Sequence, residues 1–219
     1  MRNQAKIDVK ICGLKTSEAV EATLDGGANY IGFIFFEKSP RHIELDQARA
    51  LQILVAGRAK TVAVTVNADF EMLADIVETV KPDYLQLHGD ETPERVLEIK
   101  ARYGLPVIKA VAIRTLEDME ASKSYVASAD MLLFDAKPPK GSELPGGNGV
   151  SFDWSLLQKF QSKLPIMLSG GLSRENIGEA LSVAKPAGID ISSGVEIKPG
   201  VKDIGLISQF LSELNNYEY

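Results

Sequence analysis

PIMLSGGLSRENIGEALSVAKPAGIDISSGVE, residues 165–196, holds one full unit of the pattern that organises this chain. A short apolar run leads into a polar turn with two glycines. An amphipathic stretch follows, and a second apolar run returns at 187–192. Within 174–184, Ile177, Ala180, Leu181 and Ala184 fall at i, i+3, i+4 and i+7, the spacing of one helical face. Strand, helix and strand in this order predict parallel pairing through a right-handed crossover.

The same unit recurs in both directions. Strands are expected near 7–12, 30–35, 60–66, 83–88, 106–111, 130–135, 165–169 and 187–192. A helical face in 69–80 is carried by Phe70, Leu73, Ala74 and Val77. Thr16, Asp69, Thr92 and Ser173 stand where N-caps belong. Doubly wound sheets also alternate strand and helix, but eight units in 219 residues suit a closed barrel better. The fold class is therefore α/β, a single (β/α)8 TIM barrel over 1–219, with no linker or second domain. The longest break, AKPPKGSELPGGNGVS at 136–151, is expected to be a loop after the sixth strand. Loops of that length in compact domains are often functional.

Bulk composition excludes several classes. Net charge is −6, from 24 basic and 30 acidic residues, and no basic block is present, so a nucleic-acid partner is not expected. No apolar run approaches the ~18 residues of a membrane span. Met1 to Asp8 is polar, unlike a signal peptide, so a cytoplasmic protein is expected. Cys12 is the only cysteine, which rules out an internal disulfide or a Cys-based zinc site. His42 and His88 are the only histidines, and neither sits in a metal-ligand spacing, so neither metal nor cofactor is expected.

Barrel enzymes work at the C-terminal ends of their strands. After the seventh strand, Gly170 and Gly171 would let backbone N–H groups approach an anion. After the eighth, Ser192, Ser193 and Gly194 offer two hydroxyls and a further glycine before a possible helical turn. Each motif alone reads equally as a plain turn. Together, after strands seven and eight, they form a candidate phosphate site.

Other polar residues fall on the same rim. Cys12 ends strand one, two residues after Lys10 on the same face. A thiol there is either an inert buried group or a base, and a base near pH 7 needs a lowered pKa, which Lys10 could supply. Lys10 equally suits an interior ion pair with Asp190. Asp135 shares a face with Met131 and Leu133, so its carboxyl should crown the barrel interior. There it is either a general acid or a turn cap. Gln86 and His88 close strand four and are candidate substrate contacts. Arg41, after Pro40, could clamp a carboxylate, although a solvated surface arginine fits composition alone better.

Read in order, these segments resemble the phosphoribosylanthranilate isomerase family of tryptophan biosynthesis. The resemblance is carried by KICGL at 10–14, GFIFFEKSPRHI at 32–43, VTVN at 64–67, LQLHGDE at 85–91, FDAK at 134–137, GGNGVSFDW at 146–154, LSGGLSRENI at 168–177 and GIDISSGVEIKPGVKD at 188–203. It implies a cofactor-independent Amadori rearrangement of N-(5-phosphoribosyl)anthranilate to 1-(2-carboxyphenylamino)-1-deoxyribulose 5-phosphate. It further implies Cys12 as general base, Asp135 as general acid and Arg41 on the anthranilate carboxylate. The strand-seven and strand-eight loops would hold the phosphate, with His88 close by. The sequence departs from the family at Asn148, where Thr or Ser is usual, and at Thr65, where an aromatic is common.

Two other readings compete. An indole-glycerol-phosphate synthase-like cyclase relies on lysine and glutamate at the rim, where this chain offers Cys12 and Asp135. A non-catalytic sugar-phosphate-binding barrel would have no need of that pair. The expected partner is a small molecule, and monomer and homodimer are both open.

Overall fold

A computed structural model of the chain describes residues 7–139, 141–142 and 144–215. Eight strands close a parallel barrel in sequential order: β1 (Asp8–Cys12), β2 (Tyr30–Phe35), β3 (Lys60–Thr65), β4 (Tyr84–Leu87), β5 (Val107–Ile113), β6 (Met131–Ala136), β7 (Ile166–Leu168) and β8 (Gly188–Ile191). Every expected strand is present. β8 returns to β1 with Lys10 opposite Asp190.

Helices α1 (Ser17–Asp25), α2 (Leu45–Val55), α3 (Phe70–Val80), α4 (Pro93–Tyr103), α5 (Leu116–Ala121), α6 (Ile177–Ala184) and α7 (Ile204–Asn215) cover the barrel. Thr16, Asp69 and Thr92 cap their helices as expected, each side chain accepting a backbone N–H three residues on. Such caps each contribute about 1 kcal/mol.

Three expectations need correction. Ser173 is not an N-cap, because α6 begins only at Ile177 after Asn176. Asn176 Oδ1 accepts the Ser173 N–H at 2.8 Å, and that bond holds 173–176 as a turn. The stripe of α3 is rotated from the expected one: Leu73, Ile76 and Val80 are buried, while Ala74 and Val77 are only partly so. Phe70 packs partly buried against the core and also lies under Arg95 and Arg102. The sixth unit has a 3-10 helix, Trp154–Lys159, in place of an α-helix.

Side chains alternate in and out of the strands. Outward residues such as Ile11, Phe33, Leu85, Leu132 and Phe134 pack under the helices. Val62, Val64, Ile108, Ala110, Met131, Leu133 and Met167 fill the barrel interior. Replacing Met167 by Ala would cost about 2–5 kcal/mol. The interior is largely apolar; on the β1–β8 side Lys10 Nζ donates to Asp190 Oδ1 at 2.9 Å, and Gln86 of β4 is buried on another side. The Lys10 and Asp190 side chains are both buried, so removing either alone strands a charge at a cost of about 3–5 kcal/mol.

The path from β8 to α7 contains a hairpin that the sequence reading missed. β9 (Glu196–Lys198) and β10 (Val201–Lys202) pair antiparallel around Pro199-Gly200, with Lys202 opposite Glu196. Gly200 has φ 80°, the left-handed value that the second corner of a type II turn requires after proline.

Candidate active site

The C-terminal ends of the strands open into a cavity. Cys12, Arg41, His88, Asp135, Gly170, Gly171, Ser192 and Ser193 all line it. Residues spread over 180 positions of sequence thus meet because eight strand ends converge.

Cys12 ends β1 on the inward face, above Lys10. Its sulfur fits because position 32 on β2 is glycine; a Cβ there would lie 2.8 Å from Sγ. The depression of the thiol expected from Lys10 does not prevail. Burial pushes the Cys12 thiol up, Lys10 and Lys202 pull it down, Asp190 opposes them, and the balance is a raised value. The interior pair with Asp190 is therefore only part of the role of Lys10, because its charge also faces the thiol.

Asp135 crowns the interior at the end of β6, as alternation predicts. Its Oδ1 accepts the Ala136 N–H at 2.8 Å, and its Oδ2 lies 3.3 Å from His88 Nε2. Gln86 Nε2 lies 3.0 Å from His88 Nδ1. Gln86 itself is fully buried and does not line the cavity. As a strand residue facing the packed interior it sits one layer below His88, which corrects the expectation that it touches substrate.

Arg41 is not a solvated surface residue. It is 4% exposed, with Nε 2.8 Å from Glu196 Oε1 and Nη2 2.9 Å from Glu196 Oε2. Lys202 Nζ reaches Glu196 Oε1 at 2.7 Å, and donates to Ser192 O at 2.9 Å and to Ser192 Oγ at 3.1 Å. Burial opposes the ionised Glu196, but Arg41 and Lys202 prevail and hold it below the usual carboxylate range. Burial also pulls Lys202 below an ordinary lysine, although Glu196 resists. Neither Glu196 nor Lys202 was singled out from sequence. The Pro-Gly turn between EIK and VK was the available signal.

At the ends of β7 and β8, Gly170 and Gly171 adopt φ 91° and 62°, and the N–H of neither has an acceptor among the described residues. Asn176 Nδ2 donates to Gly171 O at 2.8 Å and so fixes this loop, a second contribution that sequence reading overlooked. Ser193 begins a one-turn 3-10 helix, Ser193–Val195. The Ser192 hydroxyl is already engaged, donating to Cys12 O at 3.0 Å. Gly194 does not line the cavity; a Cβ there would collide with the Leu172 carbonyl, so its lack of a side chain lets the two loops meet. The unpaired N–H groups of Gly170 and Gly171, in the same cavity as Ser192 and Ser193, form a receptor suited to a dianion.

The loop after β6 lies across the mouth. A Cβ on Gly146 would run into Asp135 Oδ2 and lie 2.8 Å from His88 Nε2, and one on Gly147 would lie 2.6 Å from Arg41 Nη1. These two positions must be bare for the loop to approach both groups. Asn148 turns its amide inward, with Oδ1 accepting from Ser142 Oγ at 2.9 Å and Nδ2 donating to Leu144 O at 3.2 Å. The residue that replaces the usual hydroxyl thus braces the loop.

The chain was compared with known families and proteins. Residues 9–213 match the family model described as N-(5'phosphoribosyl)anthranilate (PRA) isomerase. The chain is 59% identical over 207 residues to the N-(5'-phosphoribosyl)anthranilate isomerase of Chelativorans sp. (strain BNC1), covering 94% of this chain and 95% of that one. It is 62% identical over 204 residues to the enzyme of Brucella canis, covering 93% and 92%. Among solved structures, phosphoribosyl anthranilate isomerase from Thermotoga maritima aligns at TM-score 0.84 and 35% identity, covering 96% and 100%. A phosphoribosyl anthranilate isomerase in complex with reduced 1-(o-carboxyphenylamino)-1-deoxyribulose 5-phosphate aligns at 0.82 and 33%, with the same coverage.

Proposed function

The chain belongs to the N-(5'-phosphoribosyl)anthranilate isomerase family, and from that membership we propose how its residues divide the reaction. The protein is an aldose–ketose isomerase of tryptophan biosynthesis. Its reaction is the Amadori rearrangement of phosphoribosylanthranilate, a proton relocation within one molecule. A proton donor, a base and a means of orienting the sugar are therefore sufficient.

Asp135 acts first, giving its proton to the ribose ring oxygen. The C1′–O bond breaks and the anilino nitrogen takes up the positive charge as a Schiff base. The thiolate of Cys12 then removes the C2′ proton, and that electron pair forms the enolamine, which tautomerises to the ketone. The observation that carries this reading is the single cavity shared by Cys12 and Asp135, on strands three apart round the barrel, with the loops of β7 and β8 between them. A phosphate held by Gly170, Gly171, Ser193 and the backbone of Ser192 would anchor the sugar remotely from C1′ and C2′, so its binding energy orients the reacting carbons. Arg41 takes the anthranilate carboxylate. His88 donates from Nε2 to Asp135 Oδ2 and stabilises the carboxylate left once the proton has gone. Gln86 acts through His88.

The whole chain serves as one catalytic domain in the cytoplasm. Among the described residues no helix is long and apolar enough to cross a membrane.

The test generates the unstable substrate from anthranilate and phosphoribosyl pyrophosphate with the preceding transferase. Substrate fluorescence should decay faster than the spontaneous background, without release of carbon dioxide. Decay at the background rate would contradict the isomerase, and carbon dioxide release would favour a decarboxylating cyclase.

A further inference from the structure

The buried cluster on the β9–β10 hairpin has a charge balance that simple structural support does not require. Arg41 and Lys202 are cationic and Glu196 is anionic, and all three side chains are nearly inaccessible. The cluster carries a net charge of +1. Glu196 takes the Nε/Nη2 edge of the guanidinium and also accepts the Gly200 N–H at 3.2 Å, which ties it to the turn of the hairpin. Nη2 has one further long contact, to Gly147 O at 3.4 Å. Nη1 has no acceptor among the described residues and lies on the side that Gly147 leaves bare. Arg41 alone of the three lines the cavity.

We propose that Glu196 and Lys202 are positioning residues that make the enzyme selective for an aromatic amine bearing a carboxylate. The inference rests on Arg41 being the carboxylate contact. Glu196 fixes the guanidinium by one edge, so the Nη1 edge faces the cavity. A planar guanidinium can engage two carboxylates on different edges. Lys202 then compensates Glu196. Without Lys202, Arg41 and Glu196 would neutralise each other, and the cavity would present no net charge to an arriving carboxylate. With it, one positive charge remains for the substrate's one negative charge at this end. Charged pairs of this kind determine discrimination more than total affinity.

The experiment compares two substrates, phosphoribosylanthranilate and the glycosylamine made from aniline and ribose 5-phosphate, which lacks only the carboxylate. The readout is the ratio of their kcat/KM values. Any change in the base, the acid or the general packing affects both substrates and cancels from the ratio.

Arg41→Ala should reduce the ratio, and E196Q and K202M should each reduce it about tenfold or more. Adding E196Q to Arg41→Ala should reduce it no further, because Glu196 acts only through Arg41. If Arg41→Ala reduces the ratio while E196Q and K202M both preserve it, the inference is overturned and the role of Arg41 stands. If Arg41→Ala leaves the ratio unchanged, both are overturned. A further fall on adding E196Q to Arg41→Ala would also overturn the inference. Should E196Q fail to fold, K202M decides alone, and an unchanged ratio there overturns the proposal.

Discussion

His88 Nε2 lies 3.3 Å from Asp135 Oδ2, while its other ring nitrogen faces Gln86 Nε2 at 3.0 Å. With the Gln86 amide donating to Nδ1, the single proton of a neutral ring sits on Nε2 and points at the carboxylate. Replacing His88 by Ala should lower kcat about 10- to 100-fold, the worth of one hydrogen bond to a charged group. In 15N spectra of the neutral ring Nε2 should be the protonated nitrogen. A proton on Nδ1 would mean that Gln86 presents its oxygen and that His88 cannot donate to Asp135.

Raised by burial, the Cys12 thiol should ionise only at alkaline pH. The base works as thiolate, and because Asp135 must hold its proton in the same turnover the thiolate is followed directly: its alkylation by iodoacetamide should keep accelerating as pH passes through the ordinary thiol range near 8.5. Lys10 favours the thiolate, so Lys10→Met should move that rise to higher pH, with a loss of about 3–5 kcal/mol in stability from the stranded Asp190. An alkylation rate flat from neutral to alkaline pH, or a rise unmoved by Lys10→Met, would remove Lys10 from any role in setting the thiol.

Gly146→Ala should hinder closure of the loop over the site without unfolding the barrel. The added methyl would meet Asp135 and His88, which are fixed by their own strands. kcat/KM should fall about tenfold or more, consistent with misplacement of reacting groups, while the melting temperature changes little. Wild-type kinetics would show that the loop does not approach these groups during turnover.

Acid stability should reflect Glu196. Its folded value lies below that of the unfolded chain, because Arg41 and Lys202 outweigh burial. Its contribution is therefore complete above the unfolded value of about 4.3 and is lost as pH falls through the lower folded value. E196Q should lower the melting temperature at pH 7, and the difference from wild type should shrink toward pH 3. A difference independent of pH would mean that ionisation of Glu196 contributes nothing.

The barrel was legible because each strand reads as a short apolar run and the helices between them carry apolar stripes. Asp135 could be placed on the inner face from Met131 and Leu133 alone, and Cys12 from its place at the end of an apolar strand. The loops proposed to hold phosphate were legible as glycine and serine motifs after two particular strands, and Gly170, Gly171, Ser192 and Ser193 line the cavity. Contacts between distant segments were not. Glu196 meets Arg41 across 155 positions, and no local pattern encodes that approach. Gln86 read as a rim residue because sequence does not reveal which strand-end side chains lie beneath their neighbours. Ser173 looked like a cap because serine before an apolar stripe usually is one, yet the side chain of Asn176 competed successfully for its backbone.

The central claim is that Cys12 is the base. Cys12→Ala removes the sulfur from a site already framed by Gly32, so the fold should survive, as circular dichroism would verify. Its single-turnover rate on freshly generated phosphoribosylanthranilate is predicted to fall by about 10²- to 10⁴-fold, the range of a lost general base. A folded Cys12→Ala enzyme that turns over within a few-fold of wild type would contradict the account.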